Sequence, residues 1–315
     1  MIKNYICYTD YIKIKRVNDM NPNRNESVFL SLLAAGMIVF SGCAPTGNAA
    51  SNLPSSTTSE QNNSSENSTA PEISQSASSS LPLSSPAAPE VPTASAAPVN
   101  AVKESEKADL SYLDDTVFIG DSVTLKLKNY VTAKRKTTPG FFGKAQFLAA
   151  GSMGSANALQ PLGVSSIHPA YNGQKQLLED NVAAMGAKKV YIMLGANDIA
   201  LYGVDGSVTN MKKLLKNIKV RSPDIEIFVQ SATPMLKEKQ MKQLNNNNLI
   251  LYDNALSAMC KEERYSFVDV ACALRSKDGS LPPEYCSDPN ILGIHFTDKA
   301  CEIWIDYILT HTVKQ

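Results

Sequence analysis

Residues 108–315 of this chain predict an α/β domain: a five-stranded parallel sheet between two layers of helices, the flavodoxin-like three-layer sandwich. Three observations carry that expectation. Short apolar runs alternate with longer amphipathic stretches, the pattern of strands joined by crossover helices. The short runs, such as "TVFIG" and "VYIML", are apolar almost throughout, so each strand is covered on both faces rather than one. Two of them break at glycine into polar residues where a helical pattern begins, as at the carboxyl end of a strand in a βαβ unit.

In chain order, strands are expected at Thr116–Ile119, Gln146–Ala149, Lys189–Leu194, Ile225–Gln230 and Tyr265–Val270. Helical spacing of apolar residues marks Val123–Ala133, Gln174–Met185, Val208–Val220 and a long stretch over Lys237–Glu263. A last helix is expected to start after Thr297 as its N-cap, because Cys301, Trp304, Ile305 and Ile308 then fall on one face. No internal repeat interrupts this order.

What precedes the domain is of a different kind. Residues 1–43 read as an export signal, with an apolar run from Val28 to Phe40 that falls short of the ~18 residues a spanning helix needs. The run closes on Ser41, Gly42 and Cys43, an ending similar to a bacterial lipobox, in which the cysteine carries the lipid; Phe40 stands where leucine is usual. A start at Met20 leaves only Arg24 ahead of the run, whereas Lys3, Lys13, Lys15 and Arg16 precede it from Met1. The expected outcome is an exported protein lipid-anchored through Cys43 to the outer face of the membrane or cell surface, touching the bilayer by that anchor alone. Residues 44–107 are rich in Ser, Ala, Pro, Asn and Thr, with no aromatic residue before Tyr112. Such a segment cannot bury enough apolar surface to offset its ordering entropy, so a disordered linker is expected, with a mean span of roughly 45 Å.

Lys and Arg number 30 and Asp and Glu 30. With no dense basic block in the second half, a nucleic-acid partner is excluded, since phosphate binding needs clustered cations.

The chemistry is carried by loops. In "TVFIGDSVTL", residues 116–125, Ser122 stands between the first strand and the first helix, at the edge where ligands bind in open α/β sheets. Alone, the stretch is equally a helix cap made by Asp121 or Ser122. "YIMLGANDIA", residues 191–200, is a second strand broken at glycine, and "GIHFTD", residues 293–298, places His295 just before the last helix. Together, in order and spacing, these resemble the blocks of the SGNH or GDSL hydrolase superfamily, and the likeness spans nearly the whole domain. It implies Ser122 as nucleophile, His295 as general base and Asn197 as a side-chain donor to the oxyanion hole. The family's glycine has two candidates in "FLAAGSMGSANA", Gly151 and Gly154; its place past the strand end favours Gly154. The oxyanion hole is then Ser122, Gly154 and Asn197.

One position departs from the pattern. The family's aspartate three residues before the histidine is Leu292 here. In "CSDPNILGIHF", a lengthened loop would let Asp288 take that place; the alternatives are Asp298 or a Ser-His pair with a backbone carbonyl. Geometry, not offset, defines a triad. The residue types suit acyl transfer in their own right. A serine hydroxyl needs a base to remove its proton, imidazole is suited to that at neutral pH, and the tetrahedral oxyanion needs fixed donors.

Competing chemistries lack their motifs: there is no Gly-x-Ser-x-Gly elbow, His-Glu-x-x-His, phosphate loop or dinucleotide fingerprint. No metal or cofactor is called for. His168, in "SSIHPAYNG", reads as a loop residue bordering the cleft, His311 as a solvated residue at the end of the last helix, and "QSATPM", residues 230–235, as a further wall. Cys260, Cys272, Cys286 and Cys301 allow disulfides in an exported protein. A Cys286–Cys301 bridge is the pairing that would brace the loop of Asp288 and His295, although Cys260, Cys272 and Cys301 also fit buried free thiols.

The expected activity is hydrolysis of small acyl esters, foremost O-acetyl groups on surface or environmental polysaccharide. Lysophospholipids and thioesters are alternatives within the same superfamily, and a catalytically silent glycan-binding module is the alternative outside enzymes.

Overall fold

The computed structural model describes Pro98 and residues 100–313; the expected signal with Cys43, and nearly all of the expected linker, lie outside the described residues. In chain order the strands are β1 (Thr116–Gly120), β2 (Gln146–Ala149), β3 (Ala170–Tyr171), β4 (Gln174–Lys175), β5 (Lys189–Met193), β6 (Glu226–Gln230) and β7 (Ser266–Val268). The two short ones, β3 and β4, pair with each other, and the other five form the sheet. Its order is β2-β1-β5-β6-β7, and every neighbouring pair is parallel. The five-stranded parallel sheet expected from the apolar runs is therefore present, each strand within a few residues of its predicted bounds.

Period-two alternation sorts the core into two layers. Val117, Ile119, Val190, Ile192, Ile227 and Val229 face one side, against α2 (Ser155–Ala158), α3 (Leu178–Ala184), α4 (Ala196–Arg221) and α5 (Asn246–Glu263). Phe118, Tyr191 and Phe228 face the other, against α1 (Ser122–Thr137) and α6 (Asp298–Thr310). These three aromatics stack across adjacent strands at 5.2 and 4.5 Å between ring centroids. The last helix holds the face foreseen for it, with Cys301, Trp304, Ile305 and Ile308 all buried.

The departures have local causes. The helix expected over Gln174–Met185 begins only at Leu178, because β4 pairs with β3 in a small antiparallel hairpin. Its turn is Asn172-Gly173, both at positive φ, the commonest signal for a two-residue hairpin turn. The helix expected over Val208–Val220 starts already at Ala196 and is kinked at Gly203, where φ is 67°. The long helix expected from Lys237 starts at Asn246. Asn245 caps it by accepting from the Asn248 amide, and the Asn246 side chain is bound to both backbone groups of Met235. The last strand stops at Val268, and Val270–Ala273 form a 3-10 turn instead.

The segment before the domain joins it earlier than residue 108. Ala101 forms a parallel bridge to Phe267, and the Val102 amide donates to the Phe267 carbonyl at 2.8 Å. The amides of Ser105 and Ala108 donate to the carbonyls of Thr310 and Leu309. Ala101 and Val102 thus cover part of the open edge of β7, which otherwise presents unpaired backbone groups, and residues 105–108 run against the carboxyl end of α6.

Candidate active site

The opening glycine of the first motif is a packing requirement. A Cβ on Gly120 would lie 2.7 Å from the Met193 carbonyl oxygen on the neighbouring strand, so only glycine lets β1 and β5 close on each other there. Asp121 then caps α1, its Oδ1 accepting from the Val123 amide at 2.9 Å. Ser122 is the first helical residue. Because β1 lies between β2 and β5, the connections from β1 and β5 leave toward opposite faces and open a crevice at this point of the sheet. Ser122 stands at its mouth, half-buried.

His295 meets it from the far end of the chain. Its Nε2 lies 2.9 Å from Ser122 Oγ, and its Nδ1 lies 2.7 Å from Asp288 Oδ2. Two backbone bonds set this geometry: Ser287 N–H to the His295 carbonyl at 2.8 Å and Thr297 N–H to the Tyr285 carbonyl at 2.9 Å. They hold residues 285–287 against 295–297, with Cys286 bridged antiparallel to Phe296. Asp288 itself closes the intervening loop. Its carbonyl accepts from the amides of Ile291 and Gly293, and its carboxylate accepts from those of Leu292, Ile294 and His295. Four residues beyond the family spacing are thereby folded into a turn, with Leu292 and Ile294 buried as its anchors. With a carboxylate accepting at Nδ1, the imidazole carries its proton there and presents Nε2 as acceptor to the serine hydroxyl.

Asp298, the other carboxylate considered, is exposed and paired with Lys126 at 2.5 Å. Burial alone would raise the Asp288 pKa, but the hydrogen bonds from the His295 ring and amide, the imidazole's charge and the Cys286 thiol outweigh it and hold it below the usual carboxylate range. Asp121 goes the opposite way. Its complete burial pushes it up to about 6, against the Val123 amide and the nearby His295, which favour its charged form.

Gly154 is buried at the N-cap of α2 and Gly151 is exposed. A Cβ on Gly154 would sit 2.8 Å from an Asp198 carboxylate oxygen, whereas one on Gly151 would meet nothing within 4 Å. Asp198, buried at the start of α4, accepts from the amides of Ser155 and Ala156 at 2.8 and 2.9 Å. This carboxylate ties the Gly154 loop to the helix that carries Asn197. The Gly154 amide donates to Asn157 Oδ1 at 2.9 Å, and Asn197 Nδ2 donates to the Met153 carbonyl at 3.0 Å. The second Asn197 proton faces Asp121 Oδ2, at 3.5 Å.

Other predicted residues lie apart. His168 is buried with Nε2 at 3.0 Å from the Gln160 carbonyl oxygen, so it is a held residue of the loop. His311 is part-exposed at the end of α6, stacked on Tyr307 at 3.7 Å with its Nδ1 2.9 Å from the Tyr307 carbonyl oxygen. Residues 230–235 are buried throughout, with Gln230 Oε1 accepting from Trp304, Ser231 Oγ from the Ala271 amide, and the Ala232 amide donating to Asp253. The Cys286–Cys301 bridge is not formed: all four cysteines of the domain are free. Cys301 lies in the α6 core, while Cys286 Sγ donates to Asp288 Oδ1 at 3.3 Å.

Sequence reasoning missed Asp198 and Asn157, and placed Cys286 beside the Asp288 loop only as a disulfide partner. Asp198 had a signal, since it follows Asn197 directly in "GAND"; Asn157 had none. Among the described residues, no group of three or more His, Cys, Asp or Glu side chains is placed to hold a metal ion.

The sequence matches the GDSL-like Lipase/Acylhydrolase family over residues 118–303. Among solved structures, it resembles a GDSL-like lipase from Bacteroides thetaiotaomicron at 18% identity, over 60% of this chain and 83% of that one, with a TM-score of 0.45. A mutant of an acetyl-xylooligosaccharide esterase from Geobacillus stearmophilus is similar at 15% identity, over 67% and 95%, with a TM-score of 0.45. The periplasmic domain of a lipopolysaccharide acetyltransferase from Salmonella ser. Paratyphi A is similar at 16%, over 62% and 82%, with a TM-score of 0.42. Among curated proteins, none matches.

Proposed function

Because the chain belongs to the GDSL-like lipase/acylhydrolase family, we propose that it is a serine esterase in which Ser122, His295 and Asp288 form one proton relay. The observation that carries this reading is the continuous contact from Asp288 Oδ2 through the imidazole to Ser122 Oγ, at 2.7 and 2.9 Å. His295 Nε2 takes the hydroxyl proton as Oγ attacks the acyl carbon. Asp288 holds the imidazole in the required tautomer and stabilises the imidazolium. The tetrahedral intermediate collapses as His295 returns the proton to the departing alcohol, and water then repeats the sequence on the acyl-enzyme to release the acid.

The oxyanion meets the Ser122 amide at the positive end of α1, the Gly154 amide and the second Asn197 proton. Two of these donors have partners in the resting site, so the oxyanion shares the Gly154 amide with Asn157 Oδ1 and the second Asn197 proton with Asp121 Oδ2, or displaces those oxygens. Asp198 keeps the Gly154 loop in reach.

The substrate we assign is a short acyl ester, foremost O-acetyl groups on a polysaccharide outside the cell. Support for a short acyl group comes from the shallow setting. Ser122, Asn197, Asp288 and His295 are each half-buried. Support for a glycan comes from the reading of residues 1–43 as an export signal ending at Cys43 and of the Ser/Pro-rich linker as a stalk; under that reading the domain works where glycans are the abundant esters. The test is acid release by the full-length chain and by Ser122→Ala from acetylated xylan, acetylated peptidoglycan, and p-nitrophenyl acetate and octanoate. Ser122-dependent acetate release from a glycan, with the octanoate turned over far more slowly, supports the assignment; faster octanoate hydrolysis with no glycan turnover overturns it.

A further inference from the structure

The Asp288 carboxylate accepts from five donors, and four of them belong to the stretch downstream of it: the amides of Leu292, Ile294 and His295 and the His295 ring. The fifth, Cys286 Sγ at 3.3 Å from Oδ1, comes from the segment 285–287, just upstream of Asp288 and bridged to Phe296. A cysteine used only as a small hydrophobe turns its sulfur into apolar surroundings; this one, 6% exposed, turns it onto a carboxylate oxygen. Rotation of a carboxyl about its last torsion is broad and intrinsically weakly defined, so its donors decide where each oxygen points.

We propose that Cys286 is a positioning residue for the triad acid: its S–H, donated to Asp288 Oδ1, holds the carboxylate so that Oδ2 stays on His295 Nδ1. Burial pushes the thiol up to about 11, so it keeps the donated proton throughout the neutral range. The charged or titratable groups acting on this pair are His295 and, from the 237–239 turn, Lys239; Asp121, pushed up to about 6 by burial, acts in turn on His295 and is unchanged in every variant compared. A Cys286–Cys301 disulfide would remove the donor, so the role requires the free thiol that the structure shows.

The inference rests on the reading of Ser122, His295 and Asp288 as one relay. Its test is the pH dependence of kcat/KM for p-nitrophenyl acetate in the full-length chain and in Cys286→Ala, Cys286→Val and Cys286→Ser. Without the donor the carboxylate's charge is less dispersed, a proton on the Asp288–His295 pair is held more tightly, and the acid limb moves to higher pH. For alanine and valine we expect that limb to rise by about half a pH unit and kcat to fall about three- to tenfold with KM little changed. Serine, which restores a donor, is expected to return both toward the wild-type values. Alanine and valine profiles that superimpose on wild type, or a serine variant shifted as far as alanine, overturn the proposal. So does a lowered melting temperature with an unmoved pH profile, which is packing alone. A wild-type chain with no turnover above Ser122→Ala would instead sink the relay itself, so the two failures are distinguishable.

Discussion

Asp288 and His295 stand seven residues apart in the chain and 2.7 Å apart in space. The loop between them is closed by Asp288's own carbonyl and carboxylate, so the acid that orients the imidazole also folds the segment that delivers it. Asp288→Asn replaces one acceptor oxygen by a donor facing other donors. We expect kcat for p-nitrophenyl acetate to fall roughly a hundredfold or more, with KM changed far less. Unchanged turnover would mean that Ser122 and His295 act as a pair without it.

The two glycines after β2 make opposite predictions. Gly151→Ala adds a methyl into open space, and activity should stay within about twofold. Gly154→Ala drives a methyl into the Asp198 carboxylate, and either the loop or α4 must shift. A fall in kcat of more than about tenfold is expected, since oxyanion donors work only at the right distance. Equal effects at the two positions would remove Gly154 from the oxyanion hole.

Asp198→Ala leaves the buried amides of Ser155 and Ala156 without their acceptor. Two unmade bonds of this kind cost on the order of 2–4 kcal/mol, measurable as a lowered urea midpoint. The same change frees the loop carrying Gly154, so kcat should fall more than KM rises. A variant of normal stability and rate would show that the two amides find other partners.

Asp121 gives a pH dependence with a definite sign. Its folded pKa of about 6 lies above the ordinary 3.8, so between those values the folded chain holds a proton that the unfolded chain has released. Its contribution is fully present below about pH 4 and is lost as pH rises through 6, on the order of 2–3 kcal/mol in all. Asp121→Asn cannot titrate. The stability difference, wild type minus variant, should therefore decline between about pH 4 and 6.5 in urea unfolding; a constant difference across that range contradicts the buried, proton-holding carboxyl.

Much of this was legible in the sequence because parallel strands covered on both faces write long apolar runs. "TVFIG" and "VYIML" announce β1 and β5 with little ambiguity, and each breaks at a glycine two residues before a site residue, Ser122 or Asn197. The helices were less legible where side-chain bonds overrode periodicity. The helical reading from Lys237 onward passes over the four asparagines 245–248; Asn245 caps the helix and Asn246 is occupied by Met235, so the helix starts only there. In the hairpin at 170–175, Asn172-Gly173 is a turn signal that the helical spacing starting at Gln174 masks. Asp288 was found as a candidate by its loop rather than its offset. The tie from Asp198 to the Gly154 loop and the Cys286 contact join segments 42 or more residues apart, or neighbours across a turn, and no periodicity records such a pairing.

The central claim is that Ser122 attacks the ester. Hydrolysis of p-nitrophenyl acetate by the full-length chain, set against Ser122→Ala at about pH 7.5, tests it most directly. Saturable turnover by the wild type and a rate at least about a thousandfold lower for the variant are expected. Equal rates in the two proteins would contradict it.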